Sequence, residues 1–175
     1  MKTLVSPFDK KDLAELTAGQ TVFISGVLYT ARDEAHKRVC EYVRSNKPLP
    51  FDLKGATIYY AGPCPAKEGK ACGSCGPTTS ARMNKYAPAL FDLGLTAAIG
   101  KGEMSDEVIK AIKRNNACYF AAIGGAGALY GDRIKKCDLV AFPDLLSEGV
   151  YRLEVENFPA VVAIDSNGNS IYKNF

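Results

Sequence analysis

Apolar residues fall along this chain in two alternating rhythms: short dense runs rich in β-branched and aromatic side chains, and stretches where they recur at helical spacing. The first dense run, 21–29, reads as a buried strand. It passes directly into 30–38, where Asp33 and Glu34 fall in the first turn of a helix, and Ala35, Val39, Tyr42 and Val43 then share one apolar face. Ahead of it, 1–19 reads as a lead-in with one short helix over 10–16, capped by Asp9 and ended near Gly19. Pro48, Pro50 and Gly55 mark a loop before a second strand at 56–61, and 62–76 is an irregular run of glycine, proline and cysteine. A helix is predicted over 82–93 with Gly94 at its end, then a strand at 95–99, a helix from 105 to 115 and a strand at 117–123. The remainder predicts a helix over 128–136 and strands at 138–142, 150–156, 160–164 and 170–173, the last two joined by the turn Ser166-Asn167-Gly168-Asn169. Strands interleaved with helices, with no repeat or linker, predict one mixed α/β domain over 1–175.

Composition narrows the function classes. At 175 residues, 47% apolar and 23% charged, the chain has the balance of a soluble globular domain with a real core. No apolar run has the length of a membrane span, and Ser6-Pro7 interrupts the start before a signal-peptide core can form. A cytoplasmic location is therefore expected. The net charge of +3 is dispersed rather than gathered into a stripe, which argues against nucleic acid and suits a small anionic ligand. Of six cysteines, Cys40, Cys118 and Cys137 lie in apolar or helical contexts and read as packing. Cys64, Cys72 and Cys75 share the irregular run in a C-x7-C-x2-C spacing; they could hold a metal, act as a redox pair or be incidental thiols.

The candidate chemistry sits where strands give way to helices. In Gly76-Pro77-Thr78-Thr79-Ser80-Ala81-Arg82-Met83 a rigid turn is followed by hydroxyls able to cap a helix, with Arg82 one turn on. Such a start either attracts an anion or is an ordinary helix start with a solvated arginine. Arg32 follows the first strand, as a binding residue or as an ion-pair partner of Asp33 or Glu34. Lys101 stands between Gly100 and Gly102 on backbone that a ligand can approach closely. His36, the single histidine, reads as a partner for a nearby carboxylate or carbonyl rather than a base. Gly124-Gly125-Ala126-Gly127 lacks the spacing of a dinucleotide fingerprint and reads as a tight turn. If Arg32, Arg82 and Lys101 converge, they form a clamp for a dicarboxylate.

Gly76-Pro77-Thr78-Thr79-Ser80-Ala81-Arg82-Met83, with Arg32-Asp33-x-x-His36-Lys37-Arg38, Gly100-Lys101-Gly102 and Ile123-Gly124-Gly125, resembles the class I (iron–sulfur) fumarate hydratase family. The likeness is to its β subunit, equivalent to the C-terminal domain of the single-chain enzymes, and to the related L-tartrate dehydratase β subunit. Leu153-Glu154-Val155-Glu156-Asn157-Phe158-Pro159-Ala160 and Ile164-Asp165-Ser166-Asn167-Gly168-Asn169 fit the fumarase branch better. The resemblance implies a swivelling β/β/α three-layer domain and a hydro-lyase site shared with an α subunit, in an assembly expected to be α2β2. That partner would carry a [4Fe-4S] cluster. Arg32, Arg82 and Lys101 would hold substrate carboxylates, and Thr78 would act in proton transfer beside an aspartate of the partner. No family role attaches to Cys64, Cys72 and Cys75.

Overall fold

Strand β2 (Thr21–Thr30) is the element on which the sheet is assembled, because both of its edges are occupied along its length. In the computed structural model, which describes residues 1–173, one edge of β2 is shared by two parallel partners. The first is β1 (Lys2–Ser6), in register from Lys2↔Val22 to Ser6↔Gly26. The second is β3 (Thr57–Tyr59), which takes over at Tyr29↔Ile58 and Thr30↔Tyr59. Ser6 Oγ bridges the handover, donating to the Val27 carbonyl (2.6 Å) and lying 3.0 Å from Thr57 Oγ1. The other edge carries the antiparallel β7 (Val150–Ile164), from Thr21↔Val161 to Tyr29↔Arg152.

Parallel pairing continues from β3 to β4 (Ala97–Gly100) and on to β5 (Cys118–Ala121). Strand β5 pairs with the far half of β7, so β2, β3, β4, β5 and β7 close into a barrel. The mixed α/β domain expected from sequence is present, and its sheet closes on itself instead of lying as an open layer. Strand β6 (Ile134–Ala141) is added outside, against the first half of β7.

Period-two alternation sorts the side chains. Val22, Ile24, Leu28, Tyr59, Ile99, Phe120, Phe158 and Val162 belong to the interior cluster. Ile58, Tyr60, Ala98 and Tyr119 point the other way, under three helices: α2 (Asp33–Arg44), α3 (Ala87–Asp92) and α4 (Asp106–Arg114). Val39, Leu90, Phe91, Val108 and Ile112 supply their apolar faces. Helix α4 is started by Ser105, whose Oγ accepts from the Val108 amide, and α1 (Lys10–Ala14) by Asp9 on the Lys11 amide.

Four expectations change. The lead-in contains β1, since Leu4 and Ser6 alternate inward while Val5 stays exposed, a pattern too short to announce itself. The runs 150–156 and 160–164 form one strand: Asn157 takes a left-handed φ of 51°, and Pro159 stands opposite Phe23 within the strand. Helix α5 (Gly127–Arg133) stops early and β6 begins at Ile134, because as an edge strand β6 buries only Ile134 and Ala141 fully. The predicted strand at 170–173 reduces to a single bridge, Ile164↔Ser170.

Aromatic packing closes one end of the interior. Phe158 stacks on Tyr130 (centroids 4.4 Å apart, planes at 28°) and meets Tyr59 edge-on at 5.1 Å. Truncating this fully buried ring removes both contacts and leaves a cavity. Phe158→Ala is expected to cost about 3–5 kcal/mol, read as a lower urea midpoint with an unchanged slope.

A candidate anion site at the carboxyl edge of the parallel strands

Because β2, β3, β4 and β5 run parallel, their carboxyl ends open on one edge, where the backbone laces the outgoing segments together. After β2, the Ala31 amide donates to the Tyr59 carbonyl (3.1 Å). After β3, the Tyr60 amide donates to the Ile99 carbonyl (2.8 Å), and the Thr78 amide returns to the Tyr60 carbonyl (2.7 Å). After β4, Lys101 bridges to Thr79, and its carbonyl accepts from the Ser80 amide (3.0 Å). After β5, the Ala122 amide donates to the Gly100 carbonyl (2.7 Å). Arg32 thus follows β2 and Lys101 follows β4 on the same edge, and Thr78 is tied by its amide to the end of β3 between them.

Arg32 occupies the N-cap position of α2 in extended conformation. Its side chain lies over Gly62, where a Cβ would meet Arg32 Cδ at 3.2 Å and the Ser147 carbonyl at 2.8 Å, so the glycine is needed for the close approach. Arg32 Nε stands 3.8 Å from Glu148 Oε1, beyond hydrogen-bond reach, and is a buried donor without a partner. Lys101 extends over Gly124, where a Cβ would meet its Cδ at 3.3 Å and its Nζ at 3.7 Å. No carboxylate pairs with Lys101 among the described residues. Thr78 is half-buried and Thr79 exposed.

The segment carrying Arg82 is a correction to the expected long helix. Residues Ser80–Met83 form a single 3-10 turn, α3 begins separately at Ala87, and Thr79 at the cap position makes no side-chain capping bond. The capped-helix basis for an anion at Arg82 is therefore absent. Its guanidinium instead bonds Asp33 of α2, the residue after Arg32, through one terminal nitrogen. It stands half-exposed beside a groove that also holds Glu34, Lys37 and Glu41. Asp33 Oδ1 is buried without a partner.

Two supporting residues, Tyr60 and Tyr119, were not singled out in the sequence, and a third, Ser80, was read there as a capping hydroxyl and instead pairs with Tyr119. Ser80 is fully buried and shares a hydrogen bond with the Tyr119 hydroxyl (2.8 Å), which donates to the Gly102 carbonyl (2.8 Å). The pair braces the backbone on both sides of Lys101. Tyr60, also fully buried, has an unpartnered hydroxyl, and its ring meets His36 edge-on at 5.3 Å. An exposed tyrosine and a buried one look alike in sequence, so nothing there marked them.

His36 is the carbonyl partner expected of it: Nδ1 lies 2.8 Å from the Arg32 carbonyl. A carbonyl can only accept, so Nδ1 carries the proton and Nε2 is left as an unpartnered lone pair. Burial lowers its pKa from 6.5 to about 4, against the opposing pull of the Arg32 carbonyl and Asp33. The ring is neutral at pH 7 and serves to fix Arg32's backbone.

Of the irregular run, Cys64 is exposed while Cys72 and Cys75 are buried. Among the described residues no group of three or more His, Cys, Asp or Glu could hold a metal ion, so the metal reading of these thiols finds no support. No helix among them is long and apolar enough to cross a membrane.

The chain matches the family model described as Fumarase C-terminus over residues 3–175, and it belongs to that family. It is 44% identical over 179 residues to the Methanocaldococcus jannaschii protein named "Putative L(+)-tartrate dehydratase subunit beta", covering 99% of this chain and 92% of that one. It is 40% identical over 174 residues to "Fumarate hydratase 2" of Leishmania major, covering 97% of this chain and 30% of the relative. To "Fumarate hydratase class I, aerobic" of Escherichia coli (strain K12) the identity is 34% over 163 residues, covering 92% of this chain and 30% of the relative. The chain thus spans nearly all of the first relative and under a third of the two fumarate hydratases.

Protonation of His36 provides a test of its burial. The unfolded ring binds a proton near pH 6.5 and the folded ring only near pH 4, so unfolding takes up a proton between these values. Stability is full above pH 6.5 and falls as pH drops through that window, by about 2–3 kcal/mol at pH 4.5 from this group alone. In His36→Gln the difference in urea stability between pH 7 and pH 4.5 is expected to shrink by that amount.

Proposed function

We propose that this chain is the β subunit of a two-chain hydro-lyase that interconverts fumarate and malate, contributing a carboxylate clamp and a reacting hydroxyl to a site completed by an α subunit. The observation that supports the reading is that Arg32 and Lys101 follow the ends of β2 and β4 on one edge, with Thr78 tied by its amide to the end of β3 between them and Arg82 bonded to Asp33, the residue after Arg32. In a chain of the Fumarase C-terminus family, three cations on one edge call for a ligand with more than one negative charge.

The roles follow from what each group has free. Arg32 offers a buried Nε with no hydrogen-bond partner, its facing carboxylate Glu148 standing 3.8 Å away, so a substrate carboxylate that closes on it satisfies a donor whose isolation is costly. Lys101, unpaired and supported on glycine, supplies a second charge. Arg82 spends one nitrogen on Asp33 and keeps its other N–H groups for a substrate oxygen. Thr78, with its amide held by Tyr60, presents a hydroxyl on fixed backbone. A neutral threonine is too weak a base to remove a proton beside a carboxylate, so it hands that proton to or from a carboxylate of the partner. The cations lower the cost of the charge that develops on the substrate carboxylate as the proton leaves. The [4Fe-4S] cluster of this reading would be held by the α subunit and would supply a Lewis acid at the substrate; Arg32, Thr78, Arg82 and Lys101 carry none of the thiolates such a cluster takes.

A second reading has its own observation. The relative covered nearly end to end bears a tartrate dehydratase name, and tartrate differs from malate by one hydroxyl. The clamp accepts both.

Co-expression with a cluster-bearing α subunit tests both readings at once. The complex is expected to hydrate fumarate, with neither chain active alone; turnover of tartrate in place of fumarate selects the second reading. Thr78→Ala is expected to lower kcat by about 10²–10⁴-fold with KM little changed. Lys101→Ala is expected to raise KM for the dicarboxylate at least about tenfold. Wild-type turnover in the Thr78→Ala complex refutes the role given to the threonine.

A further inference from the structure

We propose that Cys72 and Cys137 form a reversible disulfide, a redox tether between the 62–76 loop and strand β6. The sequence placed Cys137 with the packing cysteines, far from the C-x7-C-x2-C run. The fold brings it back: Cys72 and Cys137 line one cavity of ≈ 410 Å³, bounded also by Cys64, Leu146 and Tyr151. Cys72 belongs to the interior cluster, and Cys137 packs against that cluster from β6. Each thiol strongly affects the other's ionisation. Cys72 is drawn down by the Cys137 thiol, but Cys75 and burial outweigh this and leave it at about 12. Cys137 is pushed up, first by Cys72 and then by burial. Cys72 also lines a second cavity, beside Lys67 and Lys70, which gives an incoming disulfide a further approach to it; Cys72 is therefore the attacking sulfur and Cys137 the resolving one.

Two neighbouring thiols, Cys64 and Cys75, are the competing partners that the test separates. Cys75 is fully buried and does not line the cavity, its amide is tied to the Gly127 carbonyl (3.0 Å), and its carbonyl accepts from the Tyr59 hydroxyl (2.7 Å). Cys64 is exposed and fixed by a short ladder, its amide donating to the Ser74 carbonyl (2.9 Å) and its carbonyl accepting from the Gly73 amide (3.1 Å).

The reaction needs a small disulfide, RSSR, that enters through the cavity. The Cys72 thiolate attacks one of its sulfurs, forming a Cys72–SR bond and releasing one thiolate. The Cys137 sulfur then attacks Cys72, forming the Cys72–Cys137 bond and expelling the second thiolate. The two cysteine protons end on the two released thiols, and two electrons pass from the cysteines to RSSR. The tether pins the loop that carries Gly62, on which Arg32 rests, and that leads into Thr78. It arises from this chain's own thiols and does not depend on the proposed reaction.

The test uses the full-length chain, equilibrated with oxidised glutathione, alkylated, and mapped by mass spectrometry without reduction. The expected product is a single Cys72–Cys137 cross-linked peptide, two fewer alkylated thiols, and a raised Tm that dithiothreitol reverses. Cys137→Ser is expected to lose the cross-link and accumulate a glutathione adduct on Cys72, while Cys64→Ser behaves as wild type. A Cys72–Cys75 link, a link through Cys64, or a wild-type chain with all six thiols still alkylated overturns the proposal. The wild-type map decides this even if a cysteine variant fails to fold.

Discussion

Parallel register is the constraint from which the candidate site derives. Strands β2 to β5 all run one way, so every connection that leaves them must start from the same edge. Closing the sheet through β7 then fixes how far apart those starting points stand. A cation placed on the residue after a strand end needs no local device to find its neighbours, because the barrel has already put them there. That is why Arg32 and Lys101, separated by a long stretch of chain, share one rim, to which Thr78 is tied by its amide at the Tyr60 carbonyl.

Positioning on that rim is done by backbone and by small residues. Gly62 and Gly124 lie under the two cationic side chains, and the Ser80–Tyr119 pair braces the turn that carries Lys101. Among the described residues, four of the five unpartnered buried side-chain atoms are gathered nearby, Arg32 Nε, Asp33 Oδ1, His36 Nε2 and the Tyr60 hydroxyl, while the fifth, Arg133 Nε, lies at the end of α5. Buried polar atoms are ordinarily satisfied, so such a gathering is a cost that the fold bears at this edge. Lone donors beside lone acceptors leave the edge prepared for polar atoms from outside the chain.

Much of this was legible in the sequence, and the losses have physical causes. Dense apolar runs announced β3, β4 and β5 because strands covered on both faces leave few polar positions to blur them, and β2 was announced by its β-branched and aromatic content. A carboxylate or carbonyl partner for His36 was expected from its place on a helix, and the structure supplies the Arg32 carbonyl. Strand β1 was missed because only two of its residues point inward, and the 82–93 helix was overdrawn because capping residues were present without the capping geometry. Periodicity reads local faces only. It could not see that Arg82 would engage Asp33, or that Cys137 would return to the Cys72 loop, because both meetings are made by the tertiary fold.

The pairing of β2 with β7 also bears on how the molecule comes into being. Thr21 must meet Val161, so the ring stays open while a ribosome makes nearly all of the intervening polypeptide. Until then β2 presents an unpaired edge rich in β-branched residues, and such non-local closure is intrinsically slow. The nascent chain therefore spends the longest part of its synthesis in the state most exposed to unwanted strand partners.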